Sequence, residues 1–322
     1  VLTTTMSPHR PLHSRRRFLR GVLGATALLA TPACAGSSGA GATGGQAGAH
    51  RVVAIGQGAD ADALIALGVP PVGMSSGYQI DVYPWTAGAL GGRPVELLPT
   101  TEGVPIERVA ALRPTLIAAT TYYQLDPVRA ELEKIAPVIG PSSQVDKETW
   151  QQSTVRVGEA VGRADEARRV VADVERVVAD ARAAHPQWQG RTFTFGPVIP
   201  GQDLYTVNST SDASAALLSA LGLQLAPAVT RLPNAGLPGR AKVSQEQMGL
   251  FDADALLLAH FGGDAARAEF EKQGVFRSVP AVQRGSYIPL DPALAIALAF
   301  PSVLNIPYAV REIAPLLDRA LA

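Results

Sequence analysis

Reactive groups are sparse in this chain. It has one cysteine, Cys34, and five histidines: His9, His13, His50, His185 and His260. A lone cysteine excludes an internal disulfide, and so few, scattered histidines argue against a multi-histidine metal cage. There is no G-x-S-x-G elbow, no G-x-x-x-x-G-K-[ST], no G-x-G-x-x-G after a strand and no H-E-x-x-H. The main sequence signatures of nucleophilic, phosphate-binding, dinucleotide and zinc chemistry are therefore missing. An enzyme is not expected, and no cofactor is.

What remains is aromatic and polar residues grouped after short apolar runs. They are Gln57 and Gly58, Ser75 to Tyr78, Tyr83-Pro84-Trp85, and Tyr122-Tyr123-Gln124 in the first half. In the second they are Pro200 to Asp203, the segment at Arg231, His260-Phe261 and Asp291. Aromatic rings beside a few polar groups suit a large, planar, partly apolar ligand with catecholate, phenolate or hydroxamate arms. Arg231 or Arg240 would pair with an anionic chelate. A second chemistry also fits. Tyr122 and His260, facing each other across a cleft, could ligate haem iron axially. Plainer roles compete with each: packing under a loop for Tyr83 and Trp85, a surface charge for Arg231, a polar strand end for His260.

Elements that would position these residues are visible as alternating short strands and helices. In the first half, strands are expected at 51–56, 72–74, 115–119 and 137–139, and helices at 60–67, 106–112 and 129–135. Residues 150–185 are mostly helical, with a break near Gly162-Arg163-Ala164-Asp165. From Ala164 to Ala184, apolar residues recur at three-to-four spacing. A second series follows, with strands at 192–196, 255–258 and 287–290 and helices at 213–221, 244–251 and 302–321. Alternation of this kind predicts mostly parallel sheets with helices on both faces. The expected fold is α/β: two α/β lobes, 50–149 and 187–322, joined by a single long helical connection, 150–186. Ligand would sit between the lobes, beyond the carboxyl ends of the strands.

The N-terminal part has another composition. Ser14-Arg15-Arg16-Arg17-Phe18-Leu19-Arg20 precedes an apolar stretch too short to span a bilayer. Residues 1–33 fit an export signal of twin-arginine type, although a general secretory signal with a chance arginine pair has the same outline. Thr31-Pro32-Ala33-Cys34 outlines a lipobox, with Thr31 where leucine is usual, so Cys34 would be the acylated anchor residue. Ala33-Cys34-Ala35 also fits simple cleavage to a free protein. Residues 34–49 are nearly all Gly, Ala and Ser, the composition of a flexible tether. Formal net charge is zero, yet the five arginines before Cys34 are unbalanced by any acid. Without them, 23 Lys+Arg face 28 Asp+Glu, and an acidic body argues against nucleic acid as partner.

Several segments, in order, resemble one family. Val52-Val53-Ala54-Ile55-Gly56 followed by Asp62 to Gly73 (DALIALGVPPVG) looks like the opening strand–helix–strand of periplasmic siderophore- and cobalamin-binding proteins. Ile106 to Ile117 (IERVAALRPTLI) resembles their next unit. Val243-Ser244-Gln245-Glu246-Gln247, Phe251 to Leu258 (FDADALLL) and Phe276 to Gly285 (FRSVPAVQRG) are similar to later ones. Pro84-Trp85 resembles the actinobacterial, mycobacterial type. The likeness implies a monomeric, extracytoplasmic substrate-binding protein on the outer face of the cell membrane. It would capture a ferric siderophore and deliver it to the permease of an ABC importer. Haem uptake and a ligand sensor without transport are the other readings. Position after strand ends gives Gln57, Tyr78, Tyr83, Trp85, Tyr122, Tyr123, Arg231, His260 and Phe261 as the expected ligand contacts, and the likeness implies permease docking through Glu107 and Glu246.

Overall fold

The computed structural model describes residues 50–322 except Gln57, Val145, Asp146 and Leu237. The export signal, Cys34, the tether and Gln57 thus lie outside the described residues. Val52–Ala54 forms β1, whose side chains alternate between two cores. Val52 and Ala54 enter one apolar cluster; Val53 and Ile55 enter another on the opposite face. A strand buried on both faces reads as a continuous apolar run, and this one does.

The chain continues through α1 (Ala59–Ala66), β2 (Gly73–Ser75), α2 (Pro84–Leu90), β3 (Glu96–Leu98), α3 (Ile106–Ala111), β4 (Leu116–Ala118), α4 (Leu125–Glu133) and β5 (Val138–Ile139). The five strands form one sheet in the order β3-β2-β1-β4-β5, with every pairing parallel. Strand order reverses between β1 and β4, where an open α/β sheet leaves a crevice at its carboxyl edge.

Two helices follow, α5 (Trp150–Ala160) and α6 (Ala164–Ala184). Thr149 opens α5 with a capping box: its hydroxyl accepts from the Gln152 N–H, and the Gln152 side chain accepts from the Thr149 N–H. Gly162 at φ 70° makes the break expected between them. On α6, Ala167, Val171, Val174 and Val178 are buried, and at helical rise its 21 residues extend about 30 Å. Its C-terminal end is fastened to the last helix. Asp318 accepts from Trp188 Nε1 at 2.9 Å and Gln187 Nε2 at 2.9 Å and meets His185 Nδ1 at 3.0 Å.

The second series comprises β6 (Thr192–Val198), β7 (Leu204–Val207), α7 (Ala213–Ala220), β8 (Gln224–Leu225), α8 (Pro227–Thr230), β9 (Arg240–Val243), β10 (Ala255–His260), α9 (Gly263–Glu271), α10 (Gly274–Arg277), α11 (Pro280–Gln283), β11 (Tyr287–Leu290), α12 (Pro292–Ala299) and α13 (Asn305–Ala320). A second parallel sheet runs β11-β10-β6-β8, and β7 and β9 form an antiparallel pair beside it. Gly196 lets that pair approach: a Cβ there would collide with the Tyr205 carbonyl. Pro307 lies in the first turn of α13, where N–H groups lack helical partners anyway. The helix also continues through Pro315.

One apolar cluster runs from β1 and α1 through α5, α6 and α13 to Phe193 and Leu257 of the second sheet. The described residues accordingly belong to a single compact unit. The same cluster encloses a buried carboxyl group. Asp62 accepts from Trp85 Nε1 at 2.9 Å, from Thr86 Oγ1 at 2.7 Å and from the Ser302 hydroxyl, 240 residues away. Burial pushes its pKa up to about 6 despite these three donors.

Candidate functional site

A cavity of about 500 Å³ opens where the carboxyl ends of the two parallel sheets meet. The first sheet contributes Ser75 to Tyr78 after β2, Thr100 and Thr101 after β3, and Tyr122 to Gln124 after β4, with Tyr83 beside them. The facing wall holds Phe195 to Pro197 of β6, Ile199, Val207, Arg240, Ala259 and Phe261, with Ala295, Ile296, Ala299 and Phe300 along and after α12.

Tyr78, Tyr83, Tyr122, Tyr123 and Phe261 were all expected near ligand, and the structure brings them together there. They differ in access. Tyr123 and Tyr78 are 58% and 48% exposed, whereas Tyr83 and Tyr122 are buried. A strap after β2 crosses between the walls. The Tyr78 ring meets Phe261 edge-on at 5.4 Å, and Gln79 Nε2 donates to the Phe261 carbonyl at 2.9 Å. Gln79 adopts φ 61°, uncommon for a residue with a side chain. The Tyr83 hydroxyl accepts from the Tyr78 N–H at 2.8 Å and steadies the base of the strap.

The Tyr122 hydroxyl is buried and has no hydrogen-bond partner among the described residues. Burial raises its pKa. Asp60 lies beneath the neighbouring Gly56 turn. One oxygen accepts from the Thr120 N–H and hydroxyl, and the backbone N–H groups of Gly56 and Thr121 also face the carboxyl. Burial pushes the Asp60 pKa up to about 6.

Three expected ligand contacts do not line the cavity. Trp85 is turned inward: its ring stacks on Tyr83 at 4.7 Å and its N–H is bonded to Asp62. Pro84 starts α2 and aims the indole into the core. Arg231 is exposed at the C-terminal end of α8; Arg240 is the arginine at the wall. His260 points the other way. Ala259 and Phe261 line the cavity, so the two-residue period of the strand turns His260 to the opposite face. There its Nε2 lies 2.6 Å from the Tyr287 hydroxyl, which donates to Glu271 at 3.0 Å. Burial lowers the His260 pKa. With His260 on the opposite face, Tyr122 and His260 do not face each other across the cavity as an axial pair for haem would. Asp291 is likewise engaged elsewhere, capping α12 by accepting from the N–H groups of Ala293 and Leu294 at 2.9 and 3.0 Å.

Residues outside the sequence expectation include Thr100, Thr101 and the α12 wall. Asp291-Pro292 is an N-cap followed by proline at the first helical position, a start signal that would have revealed α12. Glu107 and Glu246 are far from this chemistry in kind. Both are exposed in the first turns of short helical segments, α3 and the 3-10 turns Gln245–Phe251. Neither is in an ion pair among the described residues. The Glu246 carboxyl is held below its usual pKa by its own backbone N–H and by the Ser244 side chain.

A family model described as periplasmic binding protein matches residues 53–294, three quarters of the chain. The chain belongs to the periplasmic binding protein family. Members of this family bind ligands for transport rather than catalyse reactions, and the cavity of this periplasmic binding protein occupies the strand-end crevice that such folds use. A curated relative, the Fe(3+)-citrate-binding protein YfmC of Bacillus subtilis (strain 168), is 23% identical over 231 residues, covering 71% of this chain and 70% of the relative. A periplasmic solute binding protein of Mycobacterium smegmatis str. MC2 155 superposes with TM-score 0.72 at 25% identity, over 84% of this chain and 93% of that one. PiaA of Streptococcus pneumoniae TIGR4, solved in complex with ferrichrome, superposes with TM-score 0.71 at 22% identity over the same shares.

Proposed function

We propose that this protein captures a ferric siderophore outside the cytoplasm and delivers it to the permease of an ABC importer. The observation that carries this reading is the cavity: seven aromatic rings and one charged side chain at facing strand ends, in a family whose relatives include a protein named for ferric citrate and one solved in complex with ferrichrome. In this reading each sheet with its helices is a lobe, 50–149 and 187–322, and residues 150–186 connect them. Permease docking falls to Glu107 and Glu246, and the protein works as a monomer.

Titration with ferric siderophores, their iron-free forms and hemin tests the reading through tryptophan fluorescence. Trp85 stacks on Tyr83 of the cavity wall, so ferric complexes are expected to quench it. Binding of the iron-free forms alone, or a hemin complex with a shifted Soret band, would overturn it. Tyr122→Phe is expected to weaken a ferric complex about tenfold while stabilising the empty protein by about 1 kcal/mol. The mutation removes a buried donor that lacks a partner among the described residues. Equal affinity in the two proteins would show that the hydroxyl does not reach ligand.

The lipid anchor rests on the lipobox outline at Cys34. Cys34→Ala in cells is expected to move the protein from the membrane fraction to the soluble fraction. An unchanged distribution would mean that Cys34 holds no lipid.

A further inference from the structure

We infer that the cavity selects ferric chelates with no net charge, the ferric tris-hydroxamate class, over anionic catecholate and citrate complexes. The inference rests on the ferric-siderophore reading and concerns which chemistry that site accepts. Among the described residues, Arg240 is the one charged side chain in the cavity lining. Its charge is already answered. Nη1 donates to Asp212 Oδ2 in an ion pair whose side chains are only 21% and 13% exposed. The wall at this point is therefore close to neutral, and the rest of the lining is aromatic, aliphatic, hydroxyl or amide.

Chelate charge follows from its arms. Iron(III) with three singly ionised hydroxamates carries no net charge. With three doubly ionised catecholates it is triply negative, and citrate complexes are also anionic. Moving such an anion into a low-dielectric cavity requires cations there to replace its water. This wall has one cation, and Asp212 neutralises it. An uncharged chelate needs only hydrogen-bond donors for its oxygens. One is placed for that, the Arg240 guanidinium, whose hydrogen bonds among the described residues both leave from Nη1.

Asp212 also caps α7, accepting from the Ser214 N–H at 3.0 Å. Asparagine caps as well as aspartate does, so Asp212→Asn removes the countercharge and keeps the cap. The test is a titration of the purified protein and this variant with ferrichrome, ferric enterobactin as the tris-catecholate, and ferric citrate. Wild type is expected to bind ferrichrome at least about tenfold more tightly than either anionic complex. That affinity should change less than about twofold between roughly 0.05 M and 0.5 M salt. Asp212→Asn should narrow the gap about fivefold by strengthening the anions. Arg240→Gln, which leaves Asp212 unanswered, should widen it. An anionic complex binding as tightly as ferrichrome, or a gap unmoved in both variants, would overturn charge selection while leaving the siderophore reading intact. Failure of every ferric complex to bind would remove both.

Discussion

Replacing Asp62 by alanine is expected to lower the unfolding free energy by about 3 kcal/mol and the thermal midpoint by roughly 5–10 °C. Three donors converge on this carboxyl group: the Trp85 indole N–H and the Thr86 and Ser302 hydroxyls. Alanine strands all three. The hydroxyls can rotate toward other acceptors, but the indole cannot, and it is buried among apolar groups. Asp62→Asn keeps an oxygen for the Trp85 and Ser302 donors and supplies an N–H that the Thr86 hydroxyl can turn to accept, so its cost should stay below about 1 kcal/mol. Ser302→Ala with Asp62→Ala should be clearly less than additive, because both remove the same bond. An alanine variant within experimental error of wild type would show that the contact contributes nothing.

The pH dependence has a defined sign. The pKa of Asp62 is raised from 3.8 unfolded to about 6 folded. The folded state therefore holds its proton more tightly, and stability falls as pH rises through the window from about 4 to about 6, then levels off. A two-unit shift corresponds to about 3 kcal/mol. Asp60 acts in the same direction over the same window. His260, its pKa lowered by burial, opposes them just below its ordinary value, and Glu148 and Asp254, with lowered pKa values, lose their contribution at lower pH still. Chemical denaturation of wild type and Asp62→Asn across pH 4 to 7 isolates the Asp62 part as a difference curve. A flat difference over that window would contradict the assignment.

Reversing both Glu107 and Glu246 to arginine is expected to cut siderophore-dependent uptake by at least about a hundredfold while leaving ligand affinity within about twofold. Both carboxylates are exposed, in first turns where the helix dipole favours negative charge, and neither has an ion-pair partner among the described residues. An unpaired acid on a solvated helix start is available to an arginine on another protein. Reversal turns each attraction into repulsion, so the double variant should be worse than either single one. Permease arginines changed to glutamate should restore part of the uptake. Full uptake by the double variant would end the docking proposal.

The strand and helix pattern was readable where apolar spacing was strong. Val52-Val53-Ala54, Ile106 to Ala111 and the long run of α6 are placed by it, and both parallel sheets follow from the alternation. It was silent on α12, because Ala293 to Leu298 are all buried and show no helical stripe. It could not separate Arg231 from Arg240, since that choice depends on a pairing with Asp212 across 28 residues. For Trp85 the local aromatic cluster suggested ligand, while its partner Asp62 lay 23 residues earlier in a helix read only for its apolar residues. His260 was different. Strand alternation alone forbids adjacent His260 and Phe261 from sharing a face, and applying it would have removed the histidine from the site.

The tie made by Gln79 and Tyr78 to Phe261 has a consequence for timing. One neutral hydrogen bond and one edge-on ring contact together contribute about 1–3 kcal/mol. Thermal fluctuation then leaves the tie open roughly 1 to 15% of the time. For a ligand whose path crosses it, arrival and departure are slowed by the same fraction. The equilibrium constant is untouched while the residence time lengthens. A bound chelate would thus be carried further before escaping, with no gain in affinity to overcome at the moment of hand-over.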